Sequence, residues 1–262
     1  MGVLNVTPDS FHADSRTNGV EAALKQASKM QDEGADWIDI GGESTRPGAD
    51  PVSIDEEKIR VIPIIEAVRR ACPEIAISVD TRRPEVARLA LEAGANLIND
   101  VSGLRDPEMI ELVLSTGAGV CIMHMQGDPK SMQDRPHYTE ARTDVANELL
   151  HRAHSLIESG HPPERICLDP GIGFGKLLED NLALLSDADW IRGPHQLPVL
   201  WGVSRKSMFR DLLDRTETSE RLAGTLGVAA HAQKVGVDIL RVHDVAEHVD
   251  LGRTLAELEA RR

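Results

Sequence analysis

Long hydrophobic runs are missing from this chain. No apolar stretch approaches the roughly 20 residues that a membrane-spanning helix needs, although 41% of the 262 positions are hydrophobic, enough to bury a globular core. The start of the chain has no basic region leading into an apolar segment, so no secretory signal is visible. Cysteine is scarce. Cys72, Cys121 and Cys167 are odd in number and show no Cys-x-x-Cys spacing, which points to reduced thiols in a cytoplasmic protein. Cys121 and Cys167 lie in apolar runs and read as core fillers. Positive charge is also in deficit, with 29 Lys and Arg against 43 Asp and Glu and a formal net charge of −14. That argues against broad nucleic-acid binding. It leaves room for a small anionic ligand held by a few local arginines.

Nucleotide loops are lacking as well, despite a stretch that resembles one. In "LDPGIGFGK", Leu168 to Lys176, a Walker A loop would need Gly where Pro170 stands and Ser or Thr where Leu177 stands. A dinucleotide fingerprint would need two residues before its third glycine, but only Phe174 separates Gly173 from Gly175. No serine–His or Cys–His signature suggests a covalent nucleophile. The unusual element is Asp169, a carboxylate where a strand should end.

Present instead are eight short β-type runs: "GVLNV", "DWIDIG", "IAISVD", "ANLINDV", "GVCIMH", "RICLDP", "PVLWGVS" and "DILRVHD". Each is continuously apolar, as in a strand buried on both faces. Amphipathic segments separate them, among them Gly19–Glu33, Ile54–Arg70, Pro84–Ala93, Glu140–Ser159 and Val245–Leu258. Gly34, Gly94, Gly117, Gly160 and Gly236 stand where helix C-terminal caps belong. Eight such units predict an α/β protein, a (β/α)8 TIM barrel forming a single domain over residues 1–262, ahead of an open doubly wound sheet.

In a barrel the active site lies at the C-terminal ends of the strands. Those ends carry Asn5, Asp39 with Glu43, Asp80, Asn99 with Asp100, His124, Asp169, Ser204–Arg205–Lys206, and Arg241 with His243. One such residue is usually a cap or a turn former, and Asp39 and Asp100 taken singly read that way as readily as any other. Eight converging on one mouth suggest a ligand. Asp80, Asn99 and Asp169 suit the donor-rich edge of a flat heteroaromatic ring. Asn5, Arg46, Arg241 and His243 suit an anion, and Lys206 stands at a βα junction where a helix start adds positive potential. Two long loops, "TPDSFHADSRTNG" and "GGESTRPGADPVS", follow the first two strands and read as binding loops.

The motifs "MGVLNVTPDSF", "GGESTRPGA", "SVDT", "INDVSG", "MHMQGDPKSMQ", "LDPGIGFGK", "GVSRKS" and "RVHDV" resemble those of the dihydropteroate synthase family, in the family's order and from Met1 to Val245. The resemblance implies the condensation of 6-hydroxymethyl-7,8-dihydropterin pyrophosphate with p-aminobenzoate, giving 7,8-dihydropteroate and pyrophosphate, on a barrel fold. Carried over by motif, Asp80, Asn99, Asp169 and Lys206 would read the pterin, with Met123 and Phe174 beside the ring. Asn5, Thr45, Arg46, Arg241 and His243 would hold the pyrophosphate, Asn5 also contacting Mg²⁺. Phe11, Pro47, Lys206 and Ser207 would border the p-aminobenzoate. Asp9 would stabilise the cationic pterin methylene formed as the C–O bond breaks, and Arg46 and Lys206 would act with it in catalysis. The resemblance further implies a homodimer through the last barrel helices, around Ser219–Val235, and inhibition by sulfonamides. It departs from the family in starting its first strand almost at Met1, where an added segment is expected to cover the barrel floor, and in His12. The competing readings are the pterin-binding domain of a folate-dependent methyltransferase and a catalytically silent pterin-binding paralogue.

Overall fold

The computed structural model describes residues 1–6, 16–44, 51–127, 132 and 136–261, with the side chains of residues 16–18 left out. Strands and helices alternate along it: β1 (Gly2–Asn5), α1 (Arg16–Asp32), β2 (Trp37–Gly41), α2 (Ile54–Ala71), β3 (Ala76–Asp80), α3 (Pro84–Glu92), β4 (Leu97–Asp100), α4 (Pro107–Thr116), β5 (Gly119–Met123) and α5 (Ala141–Glu158). They continue through β6 (Ile166–Asp169), α6 (Leu178–Leu184), α7 (Asp189–Arg192), β7 (Leu200–Trp201), α8 (Met208–Leu213), α9 (Leu222–Lys234), β8 (Ile239–Leu240) and α10 (Val245–Glu259). Each of the eight β-type runs contributes one strand. The last two strands are only two residues long.

Strands β1 to β6 pair in sequence order as one parallel sheet, and β7 pairs with β8 as a second. Two parallel bridges join these sheets into a ring, Leu168 with Val199 and Gly2 with Val242. At the second seam, Val3 N–H donates to the Val242 carbonyl and Val242 N–H to the Met1 carbonyl, both at 2.9 Å. The barrel expected from the sequence is the fold that forms.

Strand parity explains where the core and the site sit, because successive side chains on a strand point to opposite faces. Ile38, Ile40, Ile77, Val79, Ile98, Val120, Ile122 and Leu168 pack outward against the helices in the main apolar cluster. The alternate residues Trp37, Leu97, Cys121, Cys167, Leu200 and Ile239 meet in the ring as a lower layer. Two residues further along the same inner face come Asp39, Asn99, Met123, Asp169 and Arg241, joined by Asp80. The helices end as the glycines indicated: Gly34, Gly94, Gly117, Gly160 and Gly236 all have φ between 65° and 111°, a conformation that costs glycine little and other residues more.

Candidate functional site

The inner face above the apolar layer is held together by contacts across the barrel. Asp39 from β2 is fully buried. Its Oδ2 accepts from Asn99 Nδ2 at 3.1 Å and from Arg241 Nε at 2.6 Å. Arg241 also donates from Nη2 to Asp80 Oδ2 at 2.7 Å. Strands β2, β4 and β8 are not neighbours in the ring, so these bonds span its interior. Burial opposes a charge on Arg241, but the carboxylates of Asp39 and Asp80 outweigh it and hold the guanidinium above its ordinary pKa. Burial pushes Asp80 upward against the pull of Arg241.

Two buried oxygens in this array have no hydrogen-bond partner: Asp39 Oδ1 and Asn99 Oδ1. Buried acceptors left unpaired are costly and uncommon. Because Asn99 donates its amide nitrogen to Asp39, its carbonyl oxygen is fixed as an acceptor. Asp169 spends Oδ1 on Gly171 N–H at 2.7 Å, and its Oδ2 faces the bare backbone of Gly202. The array is therefore rich in acceptors and suits a ligand edge made of N–H donors.

Cations border the same space. Lys206 Nζ donates to the Ile172 carbonyl and sits 4.2 Å from the centre of the Phe174 ring. Burial lowers its pKa to about 8, with Asp169 pulling the other way. Met123 is buried with Val101, Met125 and Met132, and Phe174 packs on that cluster, giving an apolar wall beside the acceptors. The loop from Asp169 to Lys176 turns on Gly171, Gly173 and Gly175, all at positive φ. A side chain at Gly171 would also place its Cβ 1.9 Å from the His124 carbonyl oxygen, so no other residue fits there.

Other strand-end residues make contacts of their own. Asp100 turns into its own loop, accepting from the backbone N–H groups of Ser102 and Leu104 at 2.8 Å each. Glu43 pairs with Arg82 at 3.1 Å and Arg83 at 3.0 Å. Arg205, at φ 58°, pairs with Asp244, its Nε donating to Oδ2 at 2.9 Å. His243 sets Nδ1 2.9 Å from Ser204 Oγ, which also accepts the His243 backbone N–H. Asn5 is half-buried at the end of β1, and Ser207 is exposed beside Lys206. Asp9, Phe11, Thr45, Arg46 and Pro47 lie outside the described residues, so the chemistry assigned to them rests on their motifs.

Asp39 is the candidate site residue that sequence reasoning undervalued. Its signal was present: a carboxylate between Ile38 and Ile40, in a run otherwise buried on both faces, requires a charged partner. A cavity of about 620 Å³ at the opposite end of the ring, lined by Trp37, Gly119, Cys167 and Ile239 among others, draws in none of the strand-end acids or cations and is not where the chemistry lies.

Comparisons with known proteins agree with this geometry. The family model described as "Pterin binding enzyme" matches residues 1–243. Dihydropteroate synthase of Escherichia coli strain K12 is 45% identical over 255 residues, 97% of this chain and 89% of that protein. A Yersinia pestis dihydropteroate synthase solved as a sulfonamide drug complex superposes with a TM-score of 0.91 at 42% identity, over 99% of this chain and 94% of that one. The Burkholderia cenocepacia dihydropteroate synthase complexed with 7,8-dihydropteroate gives 0.89 at 44% identity, over 100% and 91%.

Proposed function

The chain belongs to the pterin binding enzyme family, and we infer that it is a transferase that condenses 6-hydroxymethyl-7,8-dihydropterin pyrophosphate with p-aminobenzoate to 7,8-dihydropteroate and pyrophosphate. The observation that carries this reading is the inner-face array. Asp80, Asn99 and Asp169 present acceptor oxygens at one level of the barrel, with a lysine and an apolar wall beside them. A pterin offers a donor edge formed by its 2-amino group and ring N–H, and a flat face. Asp169 Oδ2 and Asn99 Oδ1 accept from that edge, while Met123 and Phe174 line the ring. Lys206 sets positive charge next to Asp169 and toward the substrate.

The reaction is a displacement at the pterin methylene. Pyrophosphate leaves with the electrons of the C–O bond, and the aryl amine then forms the C–N bond and loses a proton. His243, Arg241 and Asn5 form the side of the mouth assigned to the departing anion, and preorganised positive charge favours that departure. Asp9, on the first loop, is assigned to the cationic methylene, and Arg46, Thr45, Phe11, Pro47 and Ser207 to the anion and the amine. The unaltered "STRPGA" motif supports sulfonamides as competitors of p-aminobenzoate.

Mg²⁺ belongs to this proposal, with Asn5 as its protein ligand. Among the described residues no group of three or more His, Cys, Asp or Glu is arranged to hold a metal ion. Magnesium commonly takes one or two protein oxygens and completes its shell with water and substrate phosphate, so a single amide oxygen beside a pyrophosphate fits. When bound, the ion would neutralise charge on the leaving group.

The protein is further proposed to act as a homodimer in a reducing, cytoplasmic compartment. Leu182, Leu212 and Leu213 are exposed on α6 and α8. With Phe209 they border an apolar cleft of about 610 Å³ that Gly224 and Val228, from the segment expected to meet a second copy, also line. All three cysteines are free thiols, including Cys121 and Cys167 on facing positions of neighbouring strands. The decisive experiment mixes the protein with pterin pyrophosphate, p-aminobenzoate and Mg²⁺ and measures dihydropteroate and pyrophosphate. Equimolar appearance of both is expected, and pterin binding without either product would leave only a silent binding protein.

A further inference from the structure

Behind the loop that carries Asp169 and Phe174 lies a line of polar groups, buried at Lys176 and His124 and partly exposed beyond them, that the reaction does not use. Lys176 is buried to 4% exposure. Its Nζ contacts the Gly171 and Phe174 carbonyl oxygens at 3.0 Å each and His124 Nδ1 at 3.0 Å, with the His124 carbonyl oxygen at 3.4 Å. His124 Nε2 faces Glu148 Oε2 at 3.3 Å, and Glu148 Oε1 pairs with Arg152 at 3.0 Å. The Tyr138 hydroxyl donates to the Gly175 carbonyl at 2.7 Å on the same side.

The hydrogen-bond logic runs in one direction. An ammonium has three donors and no acceptor. Glu148, an ionised carboxylate 3.3 Å from Nε2, can only accept, so the imidazole proton sits on Nε2 and Nδ1 is left as an acceptor for Lys176. That tautomer leaves Lys176 free to give its remaining protons to the two loop carbonyls. The Gly171 peptide links the two sides of the loop, since its carbonyl is held by Lys176 and its N–H orients Asp169. At the next residue the Ile172 carbonyl is held from the front by Lys206. The loop is thus gripped between two lysines, one in the cleft and one behind it.

We propose that Lys176, oriented by His124 and Glu148, is a positioning residue for pterin recognition: it fixes the loop that aims Asp169 and Phe174 at the ring, without itself touching the ligand. The proposal rests on the pterin reading of the cleft. Burial favours loss of the Lys176 charge, lowering its pKa to about 7 with Asp169 and Glu148 opposing. A purely structural role would be met more cheaply by an apolar side chain in so buried a place.

Lys176→Met keeps the length of the side chain and removes its donors. Calorimetry with 6-hydroxymethylpterin should show affinity weakened about tenfold or more, the size expected when buried carbonyls lose their donor. KM for pterin pyrophosphate should rise by a similar factor, while KM for p-aminobenzoate changes about twofold or less, since none of the residues assigned to the amine lies on that loop. His124→Asn retains an acceptor where Nδ1 stands and should bind the pterin within about threefold of the parent protein, whereas His124→Leu should behave like Lys176→Met. That pair carries the test if Lys176→Met does not fold. Parent-like pterin affinity in both Lys176→Met and His124→Leu would overturn the proposal alone. So would an equal rise in both KM values. No pterin binding by the unmodified protein would overturn the functional reading beneath it as well.

Discussion

Arg241 Nη2 lies 2.7 Å from Asp80 Oδ2, although the two residues are 161 positions apart and were assigned by motif to opposite ends of the substrate. With Asp39 at 2.6 Å from Nε, the guanidinium ties together the acids proposed to read the pterin and is itself proposed to hold the anion. On those assignments, pyrophosphate binding and the orientation of the pterin acids are parts of one network.

Arg241→Ala should leave two carboxylates, one of them fully buried, without their cation. Removing one partner of a buried pair costs about 3–5 kcal/mol, and urea denaturation should show a loss toward the lower figure because Arg241 is partly exposed. Combining it with Asp39→Asn should recover part of that loss, since neighbouring residues of one network are not additive. In binding, pterin pyrophosphate should suffer more than free pterin. Simple additivity of the two substitutions, or equal losses for both ligands, would contradict the network.

Asp169→Asn should cripple pterin binding while sparing the fold. The Asn oxygen can still accept from Gly171 N–H, but an NH₂ group then faces the donor edge of the ring in place of a charged acceptor. A charge-assisted hydrogen bond contributes about 1.5–3 kcal/mol, so calorimetry should show at least a tenfold weaker affinity. Unchanged affinity would remove Asp169 from the pterin site.

Stability and binding should respond to alkaline pH in opposite senses. Burial lowers Lys206 to about 8 and Lys176 to about 7, whereas both sit near 10.4 in an unfolded chain. Between those values the unfolded chain binds more protons, so the contribution of these lysines to stability rises as pH rises from about 7 to about 10. Binding of pterin pyrophosphate should weaken over the same range as Lys206 loses its charge. Urea midpoints for the parent and for Lys206→Met check the first trend, and the substitution should flatten the rise. A parent protein that loses stability relative to the variant over this range would show that the sign is wrong.

The apolar cleft between α6, α8 and α9 should close against a second copy. Light scattering at micromolar concentration should give twice the chain mass, and Leu213→Asp should shift it toward the single chain by burying a charge in the contact. A single-chain mass for the unmodified protein would refute the dimer.

The sequence by itself determined the eight βα units, their order and the polar residue closing each strand. These are local properties. A buried parallel strand is a short apolar run, a helix end is a glycine at positive φ, and alternation along a strand places Asp80, Asn99, Asp169 and Arg241 on one face. The tertiary structure alone decided which strand-end residues meet across the barrel interior and which serve their neighbours. Asp100 turns into its own loop, Arg205 pairs with Asp244, Asp39 takes the centre, and Lys176, which closes what resembles a phosphate loop, turns inward to His124. Those outcomes depend on closing the ring, because the partner of a buried charge is fixed by the opposite wall. For Asp39 that wall is Arg241, 202 residues further along the chain, and no local pattern encodes a pairing at that distance.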